Sequence, residues 1–157
     1  MRTTCAVLES VAFSEVEIGL RAQPDSVLLP IRKLEALRVL RPVHVPTQLE
    51  AQGWTLVRQV PGFRLASCVK RPADLQATAD ARGGHPEVTQ AVFSDGLTHV
   101  SLFIEPLDAA RHRKDLQAQF GATHSMSARR GEHWITVMGD VPAATLRHFL
   151  EAIERRP

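Results

Sequence analysis

The segment Ala91-Val-Phe-Ser-Asp-Gly-Leu-Thr-His-Val-Ser-Leu-Phe-Ile-Glu-Pro106 sets two β-rich runs on either side of Asp95-Gly96. An Asp-Gly pair suits a two-residue type I′ turn, whose central residues both take positive φ. With that loop, Phe93 pairs near Thr98 and Ala91 near Val100. Alternation then places Ala91, Phe93, Val100, Leu102 and Ile104 on one face, which is the buried one. A chain with this hairpin at its centre is committed to an antiparallel sheet.

The flanking sequence supplies further strands. Trp54-Thr-Leu-Val57 is strand-like, Pro61-Gly62 is a turn, and Phe63 to Val69 continues the pattern. The hairpin strands are expected over Glu87–Phe93 and Leu97–Glu105. Asp108 to Gln119 is polar and charged, a surface helix or a loop ending at Gly121. Ala122–Ala128 is a weaker strand, Arg129-Arg-Gly131 a turn, and His133–Met138 the return strand of a second hairpin, with Ile135 and Val137 inward. After Pro142, Leu146, Phe149, Leu150 and Ile153 fall at helical spacing. Arg155 and Arg156 would close that helix, where the backbone dipole favours cations. Its apolar stripe must dock on the sheet. The expectation is an α+β fold, an antiparallel sheet of about five or six strands packed against a C-terminal helix.

Before the sheet, Ala6 to Leu20 is extended in character, with short strands at Val27–Leu29 and Leu37–Leu40 and a helix over Ile31–Leu40 as the alternative. Pro46 to Glu50 suits one helical turn. Arg71 to Pro86 is a loop with a short helical stretch near Ala73–Ala79.

Composition narrows the function. With 44% hydrophobic and 23% charged residues in 157, the chain holds enough apolar material for one core. A net charge of +2 and 5% aromatics give no basic, aromatic-laced stripe, so nucleic acid is not an expected partner. No apolar run is long enough to span a bilayer, and Met1-Arg-Thr-Thr-Cys5 has no apolar segment behind it to act as an export signal. Cys5 and Cys68 are either a bridge across a long loop or two small buried hydrophobes.

No catalytic or metal site emerges. Among the histidines, His85, His99, His112, His124 and His133 lack the compact spacing of zinc ligands. Ser94, Asp95 and His99 are the right types for nucleophilic chemistry, but turn formation accounts for Ser and Asp and there is no nucleophile elbow. Glu87 and Glu105 end strands and read as solvated. No phosphate-binding loop or other cofactor motif is present. The residues with a binding chemistry are Arg111, Arg113 and Lys114, with Arg129 and Arg130. They are either a solvated polar face or a surface for acidic groups on a partner protein or for lipid phosphates, a role in which forked guanidinium contacts favour Arg. Sheet edges offer a second route, since an extended peptide can add a strand there.

Taken in order, Trp54, Pro61-Gly62-Phe63, Phe93-Ser-Asp-Gly-Leu97, Val100-Ser-Leu-Phe-Ile104 and Ile135-Thr-Val-Met-Gly-Asp-Val-Pro142 resemble the C-terminal domain of the MucB/RseB family. The match runs from about Leu49 to the end. Residues Val7–Phe13 resemble the family only loosely, at the end of its lipoprotein-carrier-like N-terminal domain. The resemblance implies two regions, 1–45 as the tail of that domain with a linker and 46–157 as the C-terminal domain. It implies a non-enzymatic regulator in the periplasm, its export signal upstream of Met1. Its partner would be the periplasmic part of a membrane anti-sigma factor, which it shields from regulated proteolysis until lipid or lipopolysaccharide relieves the shielding. A periplasmic lipid or lipoprotein carrier is the rival, and a homodimer could form through an unpaired strand.

Overall fold

The computed structural model describes residues 44–73 and 86–156, together with 10–16, 18, 19 and 21. The strands expected at Val27–Leu29 and Leu37–Leu40, the helical stretch near Ala73–Ala79 and the partner cysteine Cys5 lie outside these residues. Residues 10–16 are exposed and outside any strand.

Nine strands and one α-helix are described. They are β1 (Val45–Pro46), β2 (Trp54–Leu56), β3 (Arg64–Pro72), β4 (Glu87–Ser94), β5 (His99–Pro106), β6 (Leu116–Phe120), β7 (Thr123–Arg130), β8 (His133–Gly139), α1 (Ala143–Ala152) and β9 (Ile153–Arg155). Seven strands form an antiparallel sheet in the order β1-β3-β4-β5-β8-β7-β6, and β2 pairs with β9 in a separate ladder. The class is α+β, with more strands than the sequence suggested.

Each strand's alternation sends one set of side chains toward α1. Cys68, Ala91, Leu102, Val137 and Met126 make one transverse row of this face, and all five are buried. Leu146 and Phe149 press onto it from α1, both fully buried. Phe149 meets Phe63 edge-on at 5.4 Å and Phe93 at 5.0 Å between ring centroids. Burying such a side chain is worth roughly 1.5–3 kcal/mol, so the α1 stripe is a main adhesive of the domain.

Three local expectations are corrected. The β4–β5 connection is four residues long, because the last pair is Ser94↔His99 and Phe93 faces Val100 rather than Thr98. Among the described residues only glycines have positive φ, so Asp95 cannot occupy a type I′ turn. Instead its carboxylate accepts the backbone N–H groups of Leu97 (2.9 Å) and Thr98 (2.8 Å). The register moves by two residues, which preserves the face, so the five inward residues are as expected. Second, the polar run after Asp108 forms neither a helix nor a continuous loop. It ends in β6, an edge strand on β7. Arg129 and Arg130 correspondingly lie within β7, and the turn is Gly131-Glu132. Third, α1 stops at Ala152. Ile153 is extended (φ −79°, ψ 122°) and starts β9, so Arg155 belongs to a strand rather than the last helical turn.

A candidate partner-binding surface

The sheet face turned away from α1 is the open one. Its central row crosses six strands as Val69, Gln90, Phe103, Thr136, Ser127 and Leu116. The next row holds Val92, Ser101, Met138 and Ser125. Phe103, Val69 and Val92 are half-buried and Met138 is exposed. The Arg71 guanidinium lies 5.5 Å from the Phe103 ring centroid and its Nε donates to Gln90 (3.0 Å). This is a mixed apolar and hydroxyl surface, wetter than the core face, and it carries the Arg71 guanidinium over Phe103.

One corner of that face is covered by the segment between β5 and β6. It starts with the Leu107 N–H donating to the Glu132 carbonyl (2.9 Å). Asp108 then organises a tight turn: its carbonyl accepts from His112 N–H (2.7 Å) and its carboxylate from Ala110 N–H (2.9 Å). The turn drives His112 inward, where its ring stacks on Trp134 with centroids 4.8 Å apart and planes 2° off parallel. Nδ1 accepts the Asp108 N–H (3.0 Å), while Nε2 lies 3.4 Å from the Glu105 carboxylate. The neutral ring therefore carries its proton on Nε2, facing the acid, an assignment inferred from these partners. The segment ends with Asp115 accepting the Arg129 N–H (3.3 Å).

This fastening decides where the basic residues stand. Arg111, Arg113 and Lys114 are exposed on the turn, and Arg113 Nε donates to the Ala110 carbonyl (3.2 Å). Arg129 joins them at the same corner through Asp115. Its side chain donates to the Gly131 carbonyl (2.8 Å) and lies 3.8 Å from Glu132 across an exposed pair, a contact worth little on its own. Arg130 does not join them. Strand alternation turns it to the α1 side, where it donates to the Leu150 carbonyl (3.2 Å) near the helix C-terminus. Four of the five basic residues thus stand at one corner, interleaved with the carboxylates of Asp108, Asp115 and Glu132, and the fifth braces the helix. Sequence reasoning missed the roles of His112, Trp134 and Asp115. The Asp-x-Ala-x-His spacing of a side-chain-stabilised turn, Asp108 to His112, was the available signal.

Elsewhere the polar groups serve structure. Ser94 Oγ donates to the Thr98 carbonyl (2.8 Å) and accepts the Gly96 N–H (3.1 Å), and backbone hydrogen bonds hold the Asp95 carboxyl below its ordinary pKa. Burial, with Glu50 adding to it, pushes the Cys68 thiol up. A groove of about 460 Å³ beside β9 is lined by Trp54 and Ile153 but also by Arg130, Glu132, Glu151, Glu154 and Arg155. No group of three metal-ligating side chains occurs among the described residues.

A family model for the MucB/RseB C-terminal domain matches residues 48–154, the stretch that contains β2 to β8, the helix and this corner. The chain belongs to the MucB/RseB family. Solved structures of the family agree with the fold. The crystal structure of MucB in complex with MucA(peri) is 27% identical over 67% of this chain and 37% of that one, with a TM-score of 0.53. The complex structure of Pseudomonas aeruginosa MucA/MucB is 28% identical over 67% of this chain and 35% of that one, with a TM-score of 0.52. The chain therefore spans a little over a third of the length of these MucB chains. No curated protein matches it.

Proposed function

We propose that this domain is the C-terminal part of a non-enzymatic regulator of envelope-stress sigma-factor signalling. It contributes to gripping the periplasmic part of a membrane anti-sigma factor and shielding it from regulated proteolysis. The observation that carries this reading is the pairing of a MucB-type fold, whose solved relatives are complexes with MucA, with an uncovered sheet face and an adjoining corner that exposes Arg111, Arg113, Lys114 and Arg129. The working compartment is the periplasm. Residues 1–45 are assigned to the end of a preceding carrier-like domain, which would house the response to lipid or lipopolysaccharide signals.

The corner comprises Arg111, Arg113, Lys114 and Arg129, and its natural counterpart is an acidic stretch of the partner. Such rim charges govern association rate and salt dependence more than raw affinity. Arg130 sits outside this set by geometry. A carrier of lipids or lipoproteins would need an apolar cavity of several hundred Å³. The groove beside β9 is lined mainly by charged side chains, and a hollow of about 270 Å³ is lined by Leu56, Val60, Phe63, Leu65, Phe93 and Phe149 with Gln59 and Arg64; both are open to solvent, which favours the protein-binding reading.

The test is titration of the purified periplasmic segment of the cognate anti-sigma factor against the wild type and a variant with all four corner residues changed to Ala. The variant should bind about tenfold more weakly at physiological salt and lose most of its salt dependence, with an unchanged melting midpoint because these side chains are exposed. Undiminished affinity would remove the corner from the interface. Absence of binding by the wild type would overturn the function itself.

A further inference from the structure

The register of β3 against β4 slips at Ala66: Leu65 pairs with Phe93, yet Ser67 pairs with Val92. Strict alternation back from the inward Cys68 would turn Leu65 to the open face. The extra residue returns it to the α1 side beside Phe93, the re-aiming that a bulge performs at a sheet edge. There Leu65 is 45% exposed and walls the hollow of about 270 Å³ whose floor is Phe63, Phe93 and Phe149. The three rings rest on one another, so the floor is formed before anything enters. Only Gln59 and Arg64 bring polar side chains to the lining, and no carboxylate does. β1 pairs with Val69 and Lys70, and among the described residues no strand covers the outer side of Arg64–Ser67.

We infer that this hollow and the bare edge beside it form a socket for an extended protein segment that carries one large apolar anchor next to a carboxylate. The segment lies along β3, where backbone hydrogen bonds supply adhesion and the anchor supplies selectivity. The bulge keeps a long flat strand from stacking here, so the pairing is short and the anchor decides what binds. Neighbouring strands set paired side chains on a common side. An anchor opposite Leu65 therefore points into the hollow, and one residue next to it stands opposite Arg64. Arg64 is exposed and makes no ion pair among the described residues, so a carboxylate at that position is its complement. The volume favours a side chain as the occupant. It lies below the roughly 300–1,000 Å³ of cavities that enclose small molecules, and a long acyl chain would leave much of its length in water. The socket is at the Ser94–His99 end of the strands, whereas the exposed Arg111, Arg113, Lys114 and Arg129 stand at the Pro106–His133 end. The two surfaces are separate, and the inference stands whichever protein supplies the segment.

Nuclear magnetic resonance titration of the full chain tests it, with the blocked peptide acetyl-Thr-Asp-Phe-Asp-Thr-amide as the probe. The Leu56, Val60 and Leu65 methyls and the Leu65–Ser67 amides should shift saturably at millimolar peptide. Replacing the probe's Phe by Ala, or both its Asp residues by Lys, should weaken binding about tenfold. An Arg64→Glu variant should reverse the charge preference and take the Lys probe better than the Asp probe. A Leu65→Ser variant should bind the Phe and Ala probes alike. Both positions are exposed, so each variant should melt like the wild type. Absence of saturable shifts at these groups overturns the proposal. So does an unchanged charge preference in Arg64→Glu, which would leave only unselective apolar contact. Monomeric dodecylphosphocholine that shifts the same methyls more tightly than the peptide does would also overturn it, making the hollow a lipid site.

Discussion

Gly139 in β8 pairs with Val100 on one side and His124 on the other. A Cβ built there would run into the His99 carbonyl oxygen and sit 3.3 Å from the Val100 Cα. Both obstacles are backbone, so no side chain can swing away. Gly139→Ala should therefore cost about 1–3 kcal/mol, read as a lower urea midpoint with unchanged slope, whereas a midpoint equal to the wild type would show that β5 and β8 can separate locally. His133 makes a different kind of demand. Its ring meets Trp54 edge-on at 5.2 Å, and its Nδ1 is buried without a partner. Burial first, then the charge of Arg155, lowers its pKa, with Glu132 opposing. Below the free imidazole value of about 6.5, the unfolded chain takes up the proton more readily than the folded one. Stability from this group is thus fully present above that value and is lost as pH falls toward the depressed folded pKa. Urea midpoints measured between neutral and mildly acidic pH should fall for the wild type, and His133→Gln should flatten that slope. An equal slope in both proteins would place the acid sensitivity elsewhere.

At the scale of elements, legibility followed hydrophobic contrast. The β4–β5 and β8 strands carry strong apolar alternation, and their inward faces were readable residue by residue. β6 was not, because Leu116-Gln-Ala-Gln-Phe120 buries almost nothing and an edge strand held by β7 leaves little periodic signal. The end of α1 misled for the opposite reason. Ile153 continues the helical stripe perfectly well, yet its backbone turns extended to pair with Leu56. Helical spacing and strand pairing both bury Ile153, so pattern alone could not separate them, and the tertiary pairing with β2 decided. That small ladder is a separable element with a measurable worth. Val57 N–H donates to the Ala152 carbonyl (2.9 Å), Arg156 N–H to the Gly53 carbonyl (2.8 Å), and Ile153 is 1% exposed. Ending the chain at Ala152 should cost about 2–5 kcal/mol from the lost Ile side chain alone and shift tryptophan emission to the red as Trp54, 3% exposed in the intact domain, meets water. Unaltered emission and midpoint would mean β9 is decorative.

Across the whole molecule, the α+β class, the covering helix and the ordered motifs of the family could be read from residues alone, since each rests on local pattern. The candidate corner could be read only as a list of charges. Its shape depends on how far apart residues 107–115 and 129–130 are in sequence, on a histidine stacked over Trp134, and on strand parity that sends Arg129 and Arg130 to opposite faces. None of these is visible without the register. Ladder β2–β9 joins distant parts of the domain: Trp54 lies opposite Arg155, with six of the main sheet's seven strands between them in sequence. A nascent chain emerging from the ribosome can therefore assemble its hairpins early, but Trp54 stays without its strand partner until translation has delivered β9.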